Sequence, residues 1–192
     1  MQNRCAWVGD EEIYISYHDN EWGVPEYDSR ALWEKLILDG FQAGLSWITI
    51  LKKRENFRAA FLGFDPDVIA EWGEEDVARL LQDAGIVRHR GKIEAAIGNA
   101  KAWQMIEARE GFDNFLWKYV EGKPIQNRFK MMAEVPAQTP LSVQISKDLK
   151  KAGFRFCGPT IVYAFMQAVG MVNDHEIGCD CYDRVKKLTQ GK

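Results

Sequence analysis

The stretch 14–47 combines large aromatic side chains with the carboxylate of Asp39 and with three interrupting glycines. Aliphatic side chains would fill a core with fewer demands, because the O–H of a buried Tyr and the N–H of a buried Trp each need a polar partner. Flat walls beside a carboxylate suit a flat ligand such as a nucleobase, whereas the alternative is an aromatic core with an exposed carboxylate. The aromatic residues of this stretch include Tyr14, Tyr17, Trp22, Trp33, Phe41 and Trp47.

Cysteine and histidine residues near the two ends of the chain form a second group. Cys5 and His18 lie near the start, and His175 and Cys179 lie near the end. Two thiolates and two imidazoles satisfy a tetrahedral zinc ion and leave no position open for water. One ion would therefore clasp the termini together and stabilise the fold. Cys181 could take the place of Cys179, and the bare spacing of the four residues is a weak motif.

A short glycine-bounded connection, from Gly153 to Gly158, joins two predicted helices near the end of the chain. Such a connection leaves backbone N–H groups free to face a phosphate, and the nearby Arg155 would add positive charge. Contacts of this kind position a protein on DNA without reading its sequence. The pattern predicts a helix–hairpin–helix unit over 142–170, with an ordinary helical turn as the alternative. The turn at 84–92, AGIVRHRGK, is an equally good candidate for the phosphate contact.

The elements that must hold these residues are helices, because apolar residues recur at helical spacing and strand-like alternation is nearly absent. The fold class is therefore all-α. Residues 122–140 contain three prolines and no clear period, which indicates a surface excursion. Helices are predicted to begin near Ser29, with Asp28 or Ser29 itself as the cap, near Gln42, and at Pro66 after the cap Asp65. Two further helices are predicted to begin at the cap Ser142 and at Pro159.

Composition limits the classes of protein that the chain can belong to. A length of 192 residues fits a single domain, 1–192, in which a two-lobed arrangement stays open. A net charge of −3 argues against a generally sticky nucleic-acid binder but permits a local basic face. The sequence shows neither an apolar run of ~20 residues nor a signal peptide, so we expect a cytoplasmic protein without a membrane span. Its four cysteines are then not expected to form disulfides.

Five blocks of the sequence, in order along nearly the whole chain, resemble the bacterial 3-methyladenine DNA glycosylase I family. The combination of YHDNEWG with QAGLSW is highly specific. The blocks are RCAWV (4–8), YHDNEWGVP (17–25), FQAGLSWITILKKRENFR (41–58), DAGIVRHRGKIEAAIGNA (83–100) and FMQAVGMVNDHEIGC (165–179).

The resemblance implies an all-α helix–hairpin–helix DNA glycosylase, with one structural zinc ion joining the N- and C-termini. It also implies base flipping from double-stranded DNA that contains 3-methyladenine, and we expect a monomer. The glycine that approaches the gap left by the flipped base matches Gly44. The family's zinc ligands match Cys5, His18, His175 and Cys179. Its base-pocket aromatics match Trp7, Tyr14, Tyr17, Trp22 and Trp47.

Asp39 departs from the family pattern, which has Leu-Glu-Gly where this chain has Leu38-Asp39-Gly40. The side chain keeps its charge but is one methylene shorter. Asp39 is expected to read the base edge or to stabilise positive charge on the sugar, as the catalytic carboxylate. The aromatic stretch 14–47 is expected to bring no lysine into the base pocket, which favours a monofunctional enzyme. Asp174 precedes a zinc ligand and is assigned a structural role.

Two other functions are compatible with these residues. The first is a non-catalytic, zinc-containing protein that binds DNA lesions, which the substitution at Asp39 makes credible. The second is a purine-binding protein unrelated to DNA, which needs no basic face. Release of free 3-methyladenine from methylated DNA separates the glycosylase from both.

Overall fold

The computed structural model describes residues 3–188, and its secondary structure is almost entirely helical. Three single 3₁₀ turns and a pair of two-residue strands supplement the α-helices of this region. The helices are α1 (Glu12–Asn20), α2 (Ser29–Gln42), α3 (Trp47–Ala60), α4 (Pro66–Ala70), α5 (Glu74–Gln82), α6 (Arg90–Glu110), α7 (Phe112–Trp117), α8 (Pro140–Lys151), α9 (Pro159–Ala168) and α10 (Asp180–Leu188). The strands are β1 (Ile125–Gln126) and β2 (Val172–Asn173), and the 3₁₀ turns are Leu62–Phe64, Lys118–Val120 and Met132–Glu134.

Capping residues begin α2 and α4 where the sequence predicts it. The Asp28 carboxylate accepts hydrogen bonds from the backbone N–H groups of Arg30 and Ala31, at 3.0 and 2.8 Å. Asp65 caps α4 in the same way, and Pro66 takes the first helical position, where its missing N–H is of no consequence. Side-chain caps of this kind typically contribute about 1 kcal/mol each.

Two predicted helix starts are wrong. Gln42 is the last residue of α2, and α3 begins only at Trp47, because the chain turns between them through Gly44 in the left-handed region at φ +79°. Ser142 lies inside α8, whose cap is Thr139. The Thr139 hydroxyl accepts from the Ser142 N–H at 3.1 Å, and the Thr139 N–H donates to the Ser142 hydroxyl at 2.9 Å. This reciprocal pair satisfies two backbone donors and fixes the start.

Helix α2 lies at the centre of the molecule and contacts α3, α6, α7 and α9. Its apolar residues Leu32, Trp33, Leu36 and Ile37 are buried, as their helical spacing predicts. The Trp33 indole N–H donates to the backbone oxygen of Phe64 at 2.9 Å, which satisfies its polar group inside the core. Burial of each such side chain contributes about 1.5–3 kcal/mol, so α2 is a rigid base for the residues along it.

Residues 122–140 lie largely at the surface, although one short pairing ties them to the end of the chain. The N–H of Ile125 donates to the oxygen of Met171 at 3.0 Å, and β1 pairs with β2 in parallel. Helices α1 and α10 lie in stretches where the sequence pattern indicated no helix. Nowhere in residues 3–188 is a helix long and apolar enough to cross a membrane.

Candidate active site

An aromatic cavity of about 170 Å³ lies where the N-terminal segment, α1, α2 and α3 meet. Its wall contains every residue that the sequence assigned to base binding. Trp7 lies 4.8 Å from Tyr14, and Tyr17 lies 5.5 Å from Trp47, between ring centroids. The lining residues are Trp7, Tyr14, Tyr17, Trp22, Lys35, Asp39, Gln42, Trp47, Met132, Ala164, Gln167 and Ala168.

The Asp39 carboxylate is buried at the wall of this cavity, with only 2 % of the residue exposed. Its Oδ1 accepts a hydrogen bond from the Lys35 ammonium, one helical turn earlier on α2, at 2.5 Å. Burial raises the pKa of Asp39, and Lys35 opposes this shift. Burial likewise lowers the pKa of Lys35, against the opposite effect of Asp39. The alternative of an aromatic core with an exposed carboxylate is therefore wrong.

Lys35 is the charged residue of the cavity wall that was not predicted from the sequence. Its Nζ atom lies 3.8 Å from the centroid of the Trp47 ring, which is a close cation–π contact. The expectation that no lysine enters the base pocket is therefore wrong. A charged residue on a helix is normally solvated, but the i, i+4 spacing of Lys35 and Asp39 was a usable signal for a pair.

Two polar atoms of residues that line the cavity have no hydrogen-bond partner among residues 3–188. They are Oδ2 of Asp39, an acceptor, and Nε1 of Trp47, a donor. Buried polar atoms in folded proteins are almost always paired, and only one further buried side-chain atom of the described residues, Nε2 of Gln126, shares this condition. An acceptor and a donor left unpaired beside one cavity indicate a ligand that carries the complementary groups.

The cysteines and histidines of the two chain ends meet in a second, buried cluster. The ligand atoms of Cys5, His18, His175 and Cys179 all lie within 4.8 Å of one another. Sγ of Cys5 lies 3.6 Å from Nδ1 of His175, and Sγ of Cys179 lies 3.6 Å from Nε2 of His18. In a tetrahedron around zinc, with Zn–S of ~2.3 Å and Zn–N of ~2.1 Å, such atoms are about 3.6 Å apart. The donor set fits a zinc ion.

The outer nitrogen of each histidine is also held. Nδ1 of His18 lies 2.7 Å from the Asp19 carboxylate, and Nε2 of His175 lies 3.0 Å from the backbone oxygen of Trp22. Such partners orient metal-binding imidazoles and fix which nitrogen faces the ion. Cys181 groups instead with His18 and Asp19. Hydrogen bonding with Cys181 lowers the pKa of Cys179 to about 7, and hydrogen bonding with Cys179 raises that of Cys181 to about 12.

The residues assigned to DNA contact lie on two loops. Gly44 forms the α2–α3 turn, where a Cβ atom would meet nothing within 4 Å. Gly153 follows α8 at φ +106°, and Gly158 caps α9. Asn99 holds the hairpin between them, because its side chain exchanges hydrogen bonds with the backbone of Arg155 at 2.8 and 3.0 Å. Because these glycines carry no side chain, the backbone of both loops can come close to a binding partner.

The two rival turns are neighbours in the structure. The ring of His89, in the 84–92 turn, lies 6.1 Å from that of Phe156 in the hairpin. His89 is exposed, and its Nδ1 accepts from the Lys92 N–H at 3.2 Å as the cap of α6. The Lys92 ammonium donates to the backbone oxygens of Phe41 and Ala43, at 2.8 and 2.6 Å, and so fixes the turn that carries Gly44.

Asp174 is fully engaged in hydrogen bonds within the protein. Its carboxylate accepts from Tyr163 at 2.6 Å, from Asn127 at 2.6 Å and from Gln167 at 2.9 Å. This arrangement is consistent with the structural role assigned from the sequence. Since Gln167 also lines the aromatic cavity, Asp174 fixes the orientation of one pocket amide.

A helical chain with an aromatic cavity, a buried carboxylate and glycine turns nearby has the features of the helical DNA glycosylases. Residues 7–182 match the family model described as methyladenine glycosylase, and the chain belongs to this family. The family resemblance and the all-α fold inferred from the sequence are thereby confirmed, as is the interpretation of the chain as a glycosylase enzyme.

Curated relatives agree with this assignment. The chain is 57% identical over 180 residues to DNA-3-methyladenine glycosylase 1 of Escherichia coli K12, covering 93% of this chain and 96% of the relative. It is 51% identical over 182 residues to DNA-3-methyladenine glycosylase of Haemophilus influenzae Rd, covering 94% and 98%. These matches support a glycosylase and not the alternative of a non-catalytic lesion binder.

Solved structures agree as well. A crystal structure of 3-methyladenine DNA glycosylase I superimposes with a TM-score of 0.92 at 57% identity, covering 93% of this chain and 99% of the other. The enzyme of Staphylococcus aureus, solved to explain its recognition of 3-methyladenine, superimposes with a TM-score of 0.90 at 40% identity, covering 93% and 96%. The aromatic cavity thus belongs to a fold shared over nearly the whole chain.

Proposed function

We propose that this protein hydrolyses the N-glycosidic bond of 3-methyladenine in double-stranded DNA, after the damaged base has flipped into the aromatic cavity. The observation that carries the proposal is the pair of unpaired buried atoms, Oδ2 of Asp39 and Nε1 of Trp47, beside that cavity. An adenine ring presents a donor, its exocyclic amine, next to an acceptor, a ring nitrogen. Oδ2 of Asp39 and Nε1 of Trp47, on two residues that line the cavity, form the complementary pair.

The aromatic walls supply the energy for taking a base out of the helix. Unstacking costs a few kcal/mol, and stacking on an aromatic side chain is worth ~1–3 kcal/mol per base. The rings of Tyr17 and Trp47 lie 5.5 Å apart with their planes tilted by 45°, and the rings of Trp7 and Trp22 meet edge to face at 5.1 Å. Two such walls offset the cost of flipping.

Asp39 is the candidate catalytic residue. A 3-methyladenine base in DNA is positively charged and already a good leaving group, so the bond needs little acid catalysis. A buried carboxylate of fixed position stabilises positive charge on the base or on the sugar as the bond breaks. The aromatic side chains exclude water from the base, and they favour a cation through their ring faces.

Monofunctional chemistry is consistent with the position of Lys35. A lysine that cleaves the strand would have to attack the sugar as a free amine. The Lys35 ammonium is instead bound to Asp39 at 2.5 Å and covers the Trp47 ring, at the base end of the cavity. We therefore expect base release without strand cleavage.

One zinc ion, held by Cys5, His18, His175 and Cys179, is part of this proposal. The spacing of their ligand atoms and the fixed outer nitrogens of both histidines support it. Four protein ligands complete a tetrahedral shell, so the ion would be structural and would join the two ends of the chain. Trp22 connects cluster and cavity, because its backbone accepts from His175 while its ring lines the pocket.

The DNA-binding surface consists, in this proposal, of the α8–α9 hairpin as a helix–hairpin–helix unit, together with the turn at Gly44. Helices α8 and α9 pack against each other, and glycines bound the connection between them. Gly153, Arg155 and Gly158 would contact phosphates, whereas Gly44 would approach the gap left by the base. Such a protein acts on DNA as a monomer, in the cytoplasm.

The decisive experiment incubates the protein with methylated duplex DNA and analyses both free bases and strand length. We expect free 3-methyladenine and intact strands, with unmethylated duplex as the control. Tight binding to the methylated duplex without base release would identify a lesion-binding protein instead. Released base together with cleaved strands would retain the glycosylase but contradict its monofunctional character.

A further inference from the structure

The Lys35 ammonium makes two contacts in the cavity at the same time. Its Nζ lies 2.5 Å from Oδ1 of Asp39 and 3.8 Å from the centroid of the Trp47 ring. Both partners line the cavity that is proposed to receive the base. Lys35 therefore lies at the position where the base would meet a charge and an aromatic face together.

A positively charged purine ring would use the same two partners. It would stack on Trp47 as a cation on an aromatic face, and it would gain from the negative charge of Asp39. A neutral purine gains nothing from charge–charge attraction to Asp39 or from a cation–π contact with Trp47. It can instead form ordinary hydrogen bonds with the unpaired Oδ2 of Asp39 and the unpaired Nε1 of Trp47. The ammonium covers the Trp47 face for either kind of ring, but only a cation also competes with it for the charge of Asp39.

Lys35 also has a place to move to. It lines an adjoining groove of about 290 Å³, and the two spaces share Tyr17, Lys35 and Ala168. The charged groups of the groove besides Lys35 are Glu21, Glu26, Glu34, Arg54 and Arg58. Arg54 pairs with Glu21 and Arg58 pairs with Glu34. Glu26, which has no ion pair among residues 3–188, is the carboxylate left to accept another positive charge.

We propose that Lys35 is a specificity-determining residue, whose ammonium competes with a positively charged base for Asp39 and Trp47 and so weakens the preference of the pocket for cationic over neutral purines. The inference rests on the proposed function, since it concerns the same cavity. It predicts that the pocket binds neutral purine bases beside cationic ones, whereas release of the base still depends on its charge.

The test measures the binding of two small probes by titration calorimetry. One is 3,9-dimethyladeninium, a permanent cation that resembles the damaged base with its N9 substituted, and the other is neutral 9-methyladenine. Lys35→Met removes the ammonium and keeps the length of the side chain, whereas Lys35→Arg keeps the charge. Lys35→Gln retains a neutral hydrogen-bond donor for Asp39, should Lys35→Met fail to fold. Lys101→Met, at an exposed lysine of α6, is the matched control for the loss of one charge.

We expect Lys35→Met and Lys35→Gln to raise the affinity for the cation by about tenfold, which corresponds to one desolvated cation–π contact. Their affinity for the neutral probe should change by less than about threefold. Lys35→Arg and Lys101→Met should keep the wild-type ratio of the two affinities. An unchanged ratio in Lys35→Gln would overturn the inference, and release of 3-methyladenine by the wild type would then leave the proposed function standing. If the wild type neither binds a probe nor releases base, the inference about Lys35 and the proposed function are both wrong.

Discussion

The cluster of Cys5, His18, His175 and Cys179 and the aromatic cavity adjoin each other, yet their polar atoms are arranged in opposite ways. In the cluster every ligand atom faces the other three, and both outer histidine nitrogens have partners. In the cavity, Asp39 keeps one oxygen free and Trp47 keeps its indole N–H free. Groups that satisfy one another around a single ion hold a structure together, whereas buried groups left unpaired await a ligand.

The two regions share the wall formed by Trp7 and Trp22. The ring of Trp7 lies 5.3 Å from that of His18 and 5.1 Å from that of Trp22. The cluster therefore supports one side of the cavity, and α2 supports the other through Lys35 and Asp39. This division predicts that changes in the cluster affect stability first, whereas changes in the cavity affect ligands first.

The largest expected effect is that of Cys179→Ser. Loss of a thiolate opens the zinc shell, and structural zinc binding is worth roughly 10–16 kcal/mol in small zinc-binding peptides. We expect the melting temperature to fall by about 10 °C or more, since each kcal/mol shifts it by about 2–4 °C in a chain of this size. Thermal unfolding and metal content measure this result.

Cys181→Ser is the matched control for that change. Its thiol is also buried but lies outside the set of four ligands, so the variant should keep one zinc ion per chain. Wild-type protein purified without chelator and found free of zinc would contradict the cluster. Loss of zinc in Cys181→Ser alone would move the fourth ligand to Cys181.

Sequence periodicity predicted the helical fold, and the family resemblance supplied most residues of both regions, but neither predicted all of their contacts. Asp28 and Asp65 have strong local signals as caps, and their helices begin there. The start of α8 was misplaced because Ser142 is equally good as a cap by type, and only its reciprocal bond with Thr139 decides between them. Lys35 was missed because its i, i+4 spacing from Asp39 predicts an ion pair but not that the pair is buried, which depends on the tertiary packing around α2.

The second-largest expected effect is that of removing the charge of Asp39. Asp39→Asn should lower both base excision and affinity for free 3-methyladenine by about ten- to a hundredfold, because a hydrogen bond to a charged group contributes about 1.5–3 kcal/mol. Asp39→Glu should preserve or raise both, since it restores the family residue. Excision kinetics and calorimetry measure the two quantities. Glu75→Gln, at an exposed carboxylate of α5, makes the same chemical change outside the cavity, and equal losses in both variants would remove Asp39 from the site.

A smaller effect is expected at Trp47. Trp47→Phe keeps an aromatic face but removes the unpaired indole donor, so the affinity for free 3-methyladenine should fall by about fivefold, or about 1 kcal/mol. Trp72→Phe changes the same residue type in a packing contact with Phe61, 5.6 Å away, and should leave base affinity unchanged. If Trp47→Phe binds the base as well as the wild type does, the free N–H does not face the ligand.

The smallest effect separates the hairpin from the cavity. Arg155→Ala should weaken binding to duplex DNA and reduce the slope of log affinity against log salt by about one phosphate contact, while affinity for the free base stays constant. Arg88→Ala makes the same change in the neighbouring 84–92 turn. Fluorescence anisotropy over a series of salt concentrations measures both slopes. A reduced slope in Arg88→Ala alone would assign the phosphate contact to the 84–92 turn. A loss of free-base affinity in Arg155→Ala would show that hairpin and cavity are coupled, and the separation between a surface that holds DNA and a cavity that selects the base would then be wrong.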